Sequence, residues 1–189
     1  MLRRLGPLVL VALLALAPAA SAAKKKTVKL APKGATTLAL SDGAAAALQS
    51  LGIAAAPLKP ARAGDAGLAF PITAGKLDAK TYAGKIKHSG GISLTRHETR
   101  VELRNFTINV DGAPDLTARV GDSRVSILDL DLSDAEISAS GRRLTIANVK
   151  ATLTKAAADA LNAAFGTTAF AEGLELGTAT VSGRAAKRR

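Results

Sequence analysis

The sequence contains no cysteine and no tryptophan, and it has only one tyrosine, four phenylalanines and two histidines. Without cysteine the chain has no disulfides, no thiolate nucleophile and no cysteine-based zinc site, so its stability must come from an apolar core. With so few aromatic side chains it is a poor nucleic-acid platform, because such platforms stack bases on Phe, Tyr or Trp. Two histidines also leave little scope for imidazole catalysis.

The first 22 residues have the layout of a secretory signal peptide. Met1–Arg4 is a short basic start, Leu5–Leu16 is an apolar run, and Ala20–Ala22 has the small residues of a cleavage site. The apolar run is shorter than the roughly 20 residues that span a bilayer as a helix. We expect cleavage near Ala22, which predicts a secreted or cell-surface protein. An uncleaved amino-terminal anchor is the alternative.

Basic residues exceed acidic ones, with 26 Lys and Arg against 15 Asp and Glu and a formal net charge of +11. Much of this excess lies near the two ends of the expected mature chain, in Lys24, Lys25, Lys26, Arg184, Lys187, Arg188 and Arg189. Basic tails are attracted to anionic cell-envelope polymers, although a solvated tail without a partner is the simpler reading. We expect neither a nucleic-acid partner nor a transmembrane helix in the mature chain.

The composition predicts one domain, residues 35–183, between a basic lead-in at 23–34 and a basic tail at 184–189. Its middle alternates apolar and polar residues, which is typical of antiparallel strands. Residues 54–67 contain two prolines and two glycines, which indicates a loop. The predicted fold class is therefore mainly β.

Two changes of parity indicate that the strands bend. Val101 and Leu103 alternate in one phase, whereas Phe106 and Ile108 alternate in the other. A strand cannot move its apolar face in this way without an extra residue, so we predict a β-bulge near Asn105. The same change recurs within residues 125–132. Such bends favour an antiparallel β-sandwich or a curled sheet.

Two alanine-rich segments predict short helices at about 42–51 and 155–165. Ser41 and Thr154 are suitable N-caps, because their hydroxyl oxygens accept hydrogen bonds from early helix N–H groups. Gly52 and Gly166 are suitable helix stops. Both segments follow a Thr-Leu pair, and this similarity leaves open an internal duplication of a strand–helix unit.

Residues 85–94, KIKHSGGISL, predict a β-hairpin. Ile86 and His88 alternate before the Ser89–Gly91 turn signal, and apolar residues at 92 and 94 resume the alternation after it. His88 and Ser89 are adjacent, so their side chains would point to opposite faces of a strand. A serine–histidine triad at this position is therefore disfavoured.

No other pattern predicts an enzyme. His97 and Glu98 lie in a polar stretch typical of a solvated turn, and a metal site with His88 would have to span the hairpin. Asp129 and Asp131 alternate with leucines, which predicts the wet face of a half-buried strand rather than paired acid–base carboxylates. The sequence also lacks a phosphate-binding loop and a dinucleotide fingerprint.

Several short motifs resemble those of HtaA-type domains. The stretch Gly84–Leu94 is similar to a strand pair of that family, and Asn105–Ile108 and Leu116–Val120 follow in the family's order. Ala151–Thr154 then leads into an alanine-rich helix, which is similar to the family's closing segment. The resemblance covers about residues 68–182.

HtaA-type domains are exported actinobacterial β-rich modules, and several of them bind haem through a tyrosine supported by a histidine. The resemblance places His88 as the supporting histidine, and Tyr82 is the only tyrosine that the chain offers. Haem needs an apolar slot, an axial donor and cations for its propionates. The implied site is therefore Tyr82 and His88 with Lys85 and Lys87, for haem or another small apolar ligand. The alternative is a structural cell-envelope domain held by its basic tails, without haem.

Overall fold

The computed structural model describes residues 26–187, which form twelve strands and two helices. In chain order these are β1 (Thr27–Leu40), α1 (Asp42–Ser50), β2 (Ala54–Leu58), β3 (Arg62–Gly64), β4 (Gly67–Asp78), β5 (Gly84–His88), β6 (Gly91–Arg96), β7 (Thr99–Asn109), β8 (Asp115–Val120), β9 (Ser123–Asp131), β10 (Glu136–Ser140), β11 (Arg143–Leu153), α2 (Lys155–Phe165) and β12 (Glu175–Ala185). The predicted mainly β fold with two short helices is confirmed.

Eight of these strands close into an antiparallel barrel. Their order around the ring is β7, β5, β4, β1, β12, β11, β9 and β8, and β8 pairs again with β7. The strands β2 and β6 extend the sheet beyond the first half of β7, while β3 and β10 pair with β4 and β11. The curled sheet is therefore one continuous, closed sheet, and a sandwich of two separate sheets is not confirmed.

The predicted bulges are present where the parity changes. Asn105 has a φ of +51°, and the pairing of β7 with β8 shifts register between Arg104 and Thr107. The β8–β9 ladder also shifts, and it leaves Ile127 unpaired between Ser126 and Leu128. Each bulge lets successive apolar residues face the interior, which is how these strands bend around the barrel.

The predicted hairpin at Ser89–Gly91 is wrong. The strands β5 and β6 both pair with β7 in the same direction, so they are two parts of one bent strand. Gly90 has a φ of +80° and its carbonyl accepts a hydrogen bond from the Asn105 N–H at 2.8 Å. The actual turn is the two-residue connection at His97 and Glu98. The positive φ supplied by Gly90 serves a bend rather than a reversal.

Other segments also differ from the expectation. The predicted loop at 54–67 contains the short strands β2 and β3. Strand β1 begins at Thr27, inside the expected lead-in, and β12 continues to Ala185 in the expected tail. The predicted signal peptide at 1–22, together with Lys24, Lys25, Arg188 and Arg189, lies outside the described residues.

The helices cover the same end of the barrel. Strand β1 ends opposite the start of β12, with Leu40 paired to Gly177, and β11 ends nearby, with Thr152 paired to Glu175. The helix α1 follows β1 and α2 follows β11, so both begin at this end. The hydroxyl oxygens of both predicted caps accept a helix N–H at 3.1 Å. No helix among residues 26–187 is long and apolar enough to cross a membrane.

Candidate functional site

His88 lies in the barrel wall with its side chain buried. It is the last residue of β5, its side chain is on the same face as the fully buried Ile86, and the residue is only 5% exposed. Its ring meets two polar partners, the Thr36 hydroxyl at 2.7 Å from Nε2 and the Phe106 carbonyl at 3.2 Å from Nδ1. His88 therefore links the strands β1, β5 and β7 through one side chain.

These partners define the tautomer of His88. A carbonyl oxygen can only accept, so Nδ1 must carry the proton that it donates to Phe106. In the neutral ring Nε2 is then an acceptor, and the Thr36 hydroxyl donates to it. Burial lowers the pKa of His88 to about 4, and the hydrogen bond to Phe106 acts in the opposite direction. The imidazole is accordingly neutral at pH 7.

A cavity of about 120 Å³ occupies the barrel interior, and Thr36 lines it whereas His88 does not. Thr36 lines it together with apolar side chains from all eight barrel strands, and Leu48 of α1 and Leu161 of α2 contribute from the helical end. Phe70 and Phe106 meet edge to face in its wall, with ring centroids 4.8 Å apart. Among the described residues that line it, only Thr36 brings a polar side chain. Such a space excludes water and suits an apolar guest.

Tyr82 is placed in the turn between β4 and β5. Asp78 organises this turn by accepting hydrogen bonds from the N–H groups of Lys80 and Thr81 at 2.8 and 3.0 Å. Tyr82 has a φ of +57°, and its side chain is half-buried against the edge of the core. It precedes the start of β5, whereas His88 ends that strand, and β5 itself spans about 13 Å at the ~3.3 Å rise of each strand residue.

Lys85 and Lys87 point away from the barrel interior. Along β5 they are exposed, and they alternate with the buried Ile86 and His88. They line an outer groove of about 540 Å³ on the wall formed by β4, β5, β7, β8 and β9, and His88 itself borders this groove. The other lining residues are Thr73, Asn105, Thr107, Asn109, Asp115, Thr117 and Arg124. The four residues selected from the sequence are thus divided among an outer face, a turn and the interior.

Sequence reasoning missed Thr36 and Arg124. Thr36 is 52 positions from His88, and no local pattern links the two residues. Arg124 lies in a stretch that resembles any exposed strand end. In the fold, its guanidinium reaches from β9 to hydroxyls on β8 and β7. Asp129 and Asp131 are exposed beside buried leucines, as predicted. Within residues 26–187, no group of three or more His, Cys, Asp or Glu side chains could hold a metal ion.

Comparison with known proteins gives a consistent result for the fold. The C-terminal domain of HtaA from Corynebacterium glutamicum superposes with a TM-score of 0.63 at 16% identity, covering 84% of this chain and 99% of that one. A domain-swapped dimer of a histidine-to-alanine variant of that domain gives a TM-score of 0.55 at 16% identity, with 78% and 96% coverage.

The haem-binding protein HtaB from the same organism gives a TM-score of 0.48 at 12% identity, with 86% and 96% coverage. No curated protein sequence matches this chain. The family model for HtaA, described as Htaa, matches residues 30–176, which is most of the sequence. The chain therefore belongs to the HtaA family.

Proposed function

We propose that this protein is an exported, non-enzymatic binding module whose ligand is haem. The observation that carries the proposal is the buried, neutral imidazole of His88, which the Thr36 hydroxyl joins to the wall of an apolar cavity. Neutral imidazole nitrogen is a common ligand of haem iron, and an apolar surrounding suits the porphyrin ring. The HtaA resemblance supports haem as the ligand, because several domains of this family bind it.

The cavity must widen to admit such a ligand. Its volume of about 120 Å³ is below the ~300 Å³ at which pockets for drug-sized ligands begin. The helix α1 is the element best suited to move, because it buries only Ala44 and covers the cavity with Leu48. Its displacement would open the interior from the helical end.

Iron ligation by His88 also requires Nε2 to lose its present partner. Nε2 now accepts the Thr36 hydroxyl at 2.7 Å. Rotation of the threonine about χ1 would free this lone pair without moving either strand. Tyr82 is the second candidate donor, and its position in the β4–β5 turn would place the haem at the opposite end of β5.

The test is a haemin titration of residues 23–189, followed by visible absorbance. We expect a saturable Soret shift at equimolar haemin that is lost in His88→Ala and retained in His97→Ala. His97 is the matched control, because it is the only other histidine and is exposed in the β6–β7 turn. Tyr82→Ala is run in parallel, and loss in that variant alone would move the ligand to Tyr82.

A non-saturating rise shared by all four proteins would refute haem binding. Because His88 is buried, the fold of His88→Ala is checked by circular dichroism, and His88→Gln repeats the titration with a side chain of similar volume that keeps hydrogen-bonding groups.

A second candidate function is association with anionic cell-envelope polymers through the basic tails. The observation that favours it is the pairing of Leu30 with Ala185, which brings the two chain ends to neighbouring strands. Lys26 directly precedes β1 and Lys187 closely follows β12, so the basic residues at the two ends of the described chain adjoin neighbouring strands. Co-sedimentation with a teichoic-acid-type polymer should fall with salt and with deletion of residues 187–189. His88→Ala should leave it unchanged.

A further inference from the structure

The outer groove contains an arginine, Arg124, that forms no salt bridge with any carboxylate of residues 26–187. Arg124 Nη1 donates to the hydroxyls of Thr107 and Thr117 at 3.3 and 3.1 Å, and both Nη atoms lie 3.2 Å from the Asn105 carbonyl. These acceptors are all neutral. They hold the guanidinium in place over the bulge but leave its charge uncompensated among the described residues.

Strand register brings Lys87 to the same place. Lys87 on β5 pairs with Thr107 on β7, and Thr107 pairs with Thr117 on β8. Neighbouring strands are about 4.8 Å apart, so Lys87 lies directly beside the threonine whose hydroxyl Arg124 contacts. Two cations from strands β5 and β9 therefore converge over Thr107.

A parallel row adds a third cation and one carboxylate. Lys85 pairs with Asn109, and Asn109 pairs with Asp115. Asp115 is engaged by Ser126, whose hydroxyl donates to Oδ2 at 2.9 Å. Neither lysine forms a salt bridge in the part of the chain that the structure describes. The groove thus has three cations against one carboxylate.

Lys85 and Lys87 extend outward from β5, and Arg124 reaches across β8 from β9 to the threonine hydroxyls, so the cations border one groove. Arginine and lysine beside threonine hydroxyls and asparagine amides form a donor-rich surface, and charge-assisted hydrogen bonds to phosphate or carboxylate oxygens are its strongest available contacts. From this arrangement we propose that the outer groove binds a multiply charged oxyanion between Lys85, Lys87 and Arg124.

This site is separate from the proposed haem site. None of the three cations lines the apolar cavity, although His88 borders the outer groove from within the barrel wall. The inference does not rest on haem binding. The oxyanion titration is carried out without haemin, so its outcome is independent of the haemin titration.

The test is calorimetric titration with inorganic tripolyphosphate at low ionic strength. We expect saturable binding that weakens by about tenfold or more in Lys85→Gln/Lys87→Gln, as loss of charge-assisted contacts predicts. Lys33→Gln/Lys59→Gln removes the same charge from exposed sites outside the groove and should bind as the unaltered protein does. Both lysine pairs are exposed, so neither variant endangers the fold.

Two further experiments test whether the basic tail contributes to binding and whether the site is selective for phosphate. Removing the charges of Lys187, Arg188 and Arg189 tests the tails, and a loss of binding in that variant instead would overturn the groove assignment. Equal loss in every variant would show diffuse attraction to a basic protein and would also overturn it. Titration with citrate distinguishes a general oxyanion site, which citrate would fill, from one selective for phosphate, which would reject it.

Discussion

Thr36 and His88 are joined by a hydrogen bond of 2.7 Å in the barrel wall, across 52 positions of sequence. Both residues are about 95% buried, and their two strands are separated by β4. This pair fixes the ring of His88 in one orientation. It also joins the only buried histidine to the wall of the apolar cavity.

Replacing Thr36 with valine should destabilise the fold by about 1–3 kcal/mol, because Nε2 of His88 becomes a buried acceptor without a donor. Thr36→Ser keeps the hydroxyl and should recover most of that loss. Urea unfolding of the three proteins measures the difference. Equal stability of the valine and serine variants would mean that the hydrogen bond contributes nothing.

The burial of His88 makes stability depend on pH. The folded pKa of about 4 lies below the unfolded value of about 6.5. Between these two pH values the unfolded chain binds a proton that the native chain does not, so stability falls as pH falls. Below about pH 4 the native imidazole is protonated too, and this contribution is fully lost.

We expect the free energy of unfolding to drop by about 2–3 kcal/mol more in the natural protein than in His88→Gln between pH 7 and pH 4.5. The carboxylates titrate in both proteins, so the comparison isolates His88. Parallel pH profiles would contradict a neutral native imidazole.

Gly177 should tolerate no side chain. It has a φ of +143°, and a Cβ at this position would collide with the Ala39 carbonyl on the neighbouring strand β1. Gly177→Ala should therefore cost about 3 kcal/mol or more. Gly141 in the β10–β11 turn is the control, since its φ is +58° and nothing lies within 4 Å of an added Cβ. Gly141→Ala should cost only about 1 kcal/mol. Thermal unfolding of both variants distinguishes collision from left-handed strain.

The two helices should differ in the free energy of local unfolding. α1 buries only Ala44, whereas α2 buries Ala157, Ala158, Leu161 and Phe165. Fewer buried contacts mean a lower free energy of local opening, so amides of α1 should exchange with deuterium about tenfold faster or more. Saturating haemin should change the amide exchange rates of α1. Equal protection of the two helices would exclude α1 as the moving element.

Much of the fold could be predicted because local chemistry determines it. The hydroxyls of Ser41 and Thr154 mark helix starts wherever the chain goes next, and the bulge at Asn105 follows from the parity of residues around it. These features depend on neighbours within a few residues. A single sequence contains that information in full.

The candidate site could not be predicted, because it depends on pairing between distant segments. A glycine with positive φ, such as Gly90, suits both a chain-reversing turn and a bend within a strand. The hydrogen bond between Gly90 and Asn105 on β7 shows that the chain bends here. The wrong choice placed His88 next to a hairpin turn instead of in a continuous bent strand. Burial beside Thr36 and the meeting of Lys87 with Arg124 both follow from closure of the barrel.

The pairing of β1 with β12 also has a kinetic consequence. The ring is closed by residues 35–40 and 177–183, which are the first and last strands of the described chain. Such distant contacts give a high relative contact order, so formation of the closed barrel should be slow, in the millisecond-to-second range. Until β12 pairs, β1 and β11 each have an unpaired edge, and the barrel wall is open between these two strands. During folding, the described chain therefore encloses its apolar cavity only after β12 has paired.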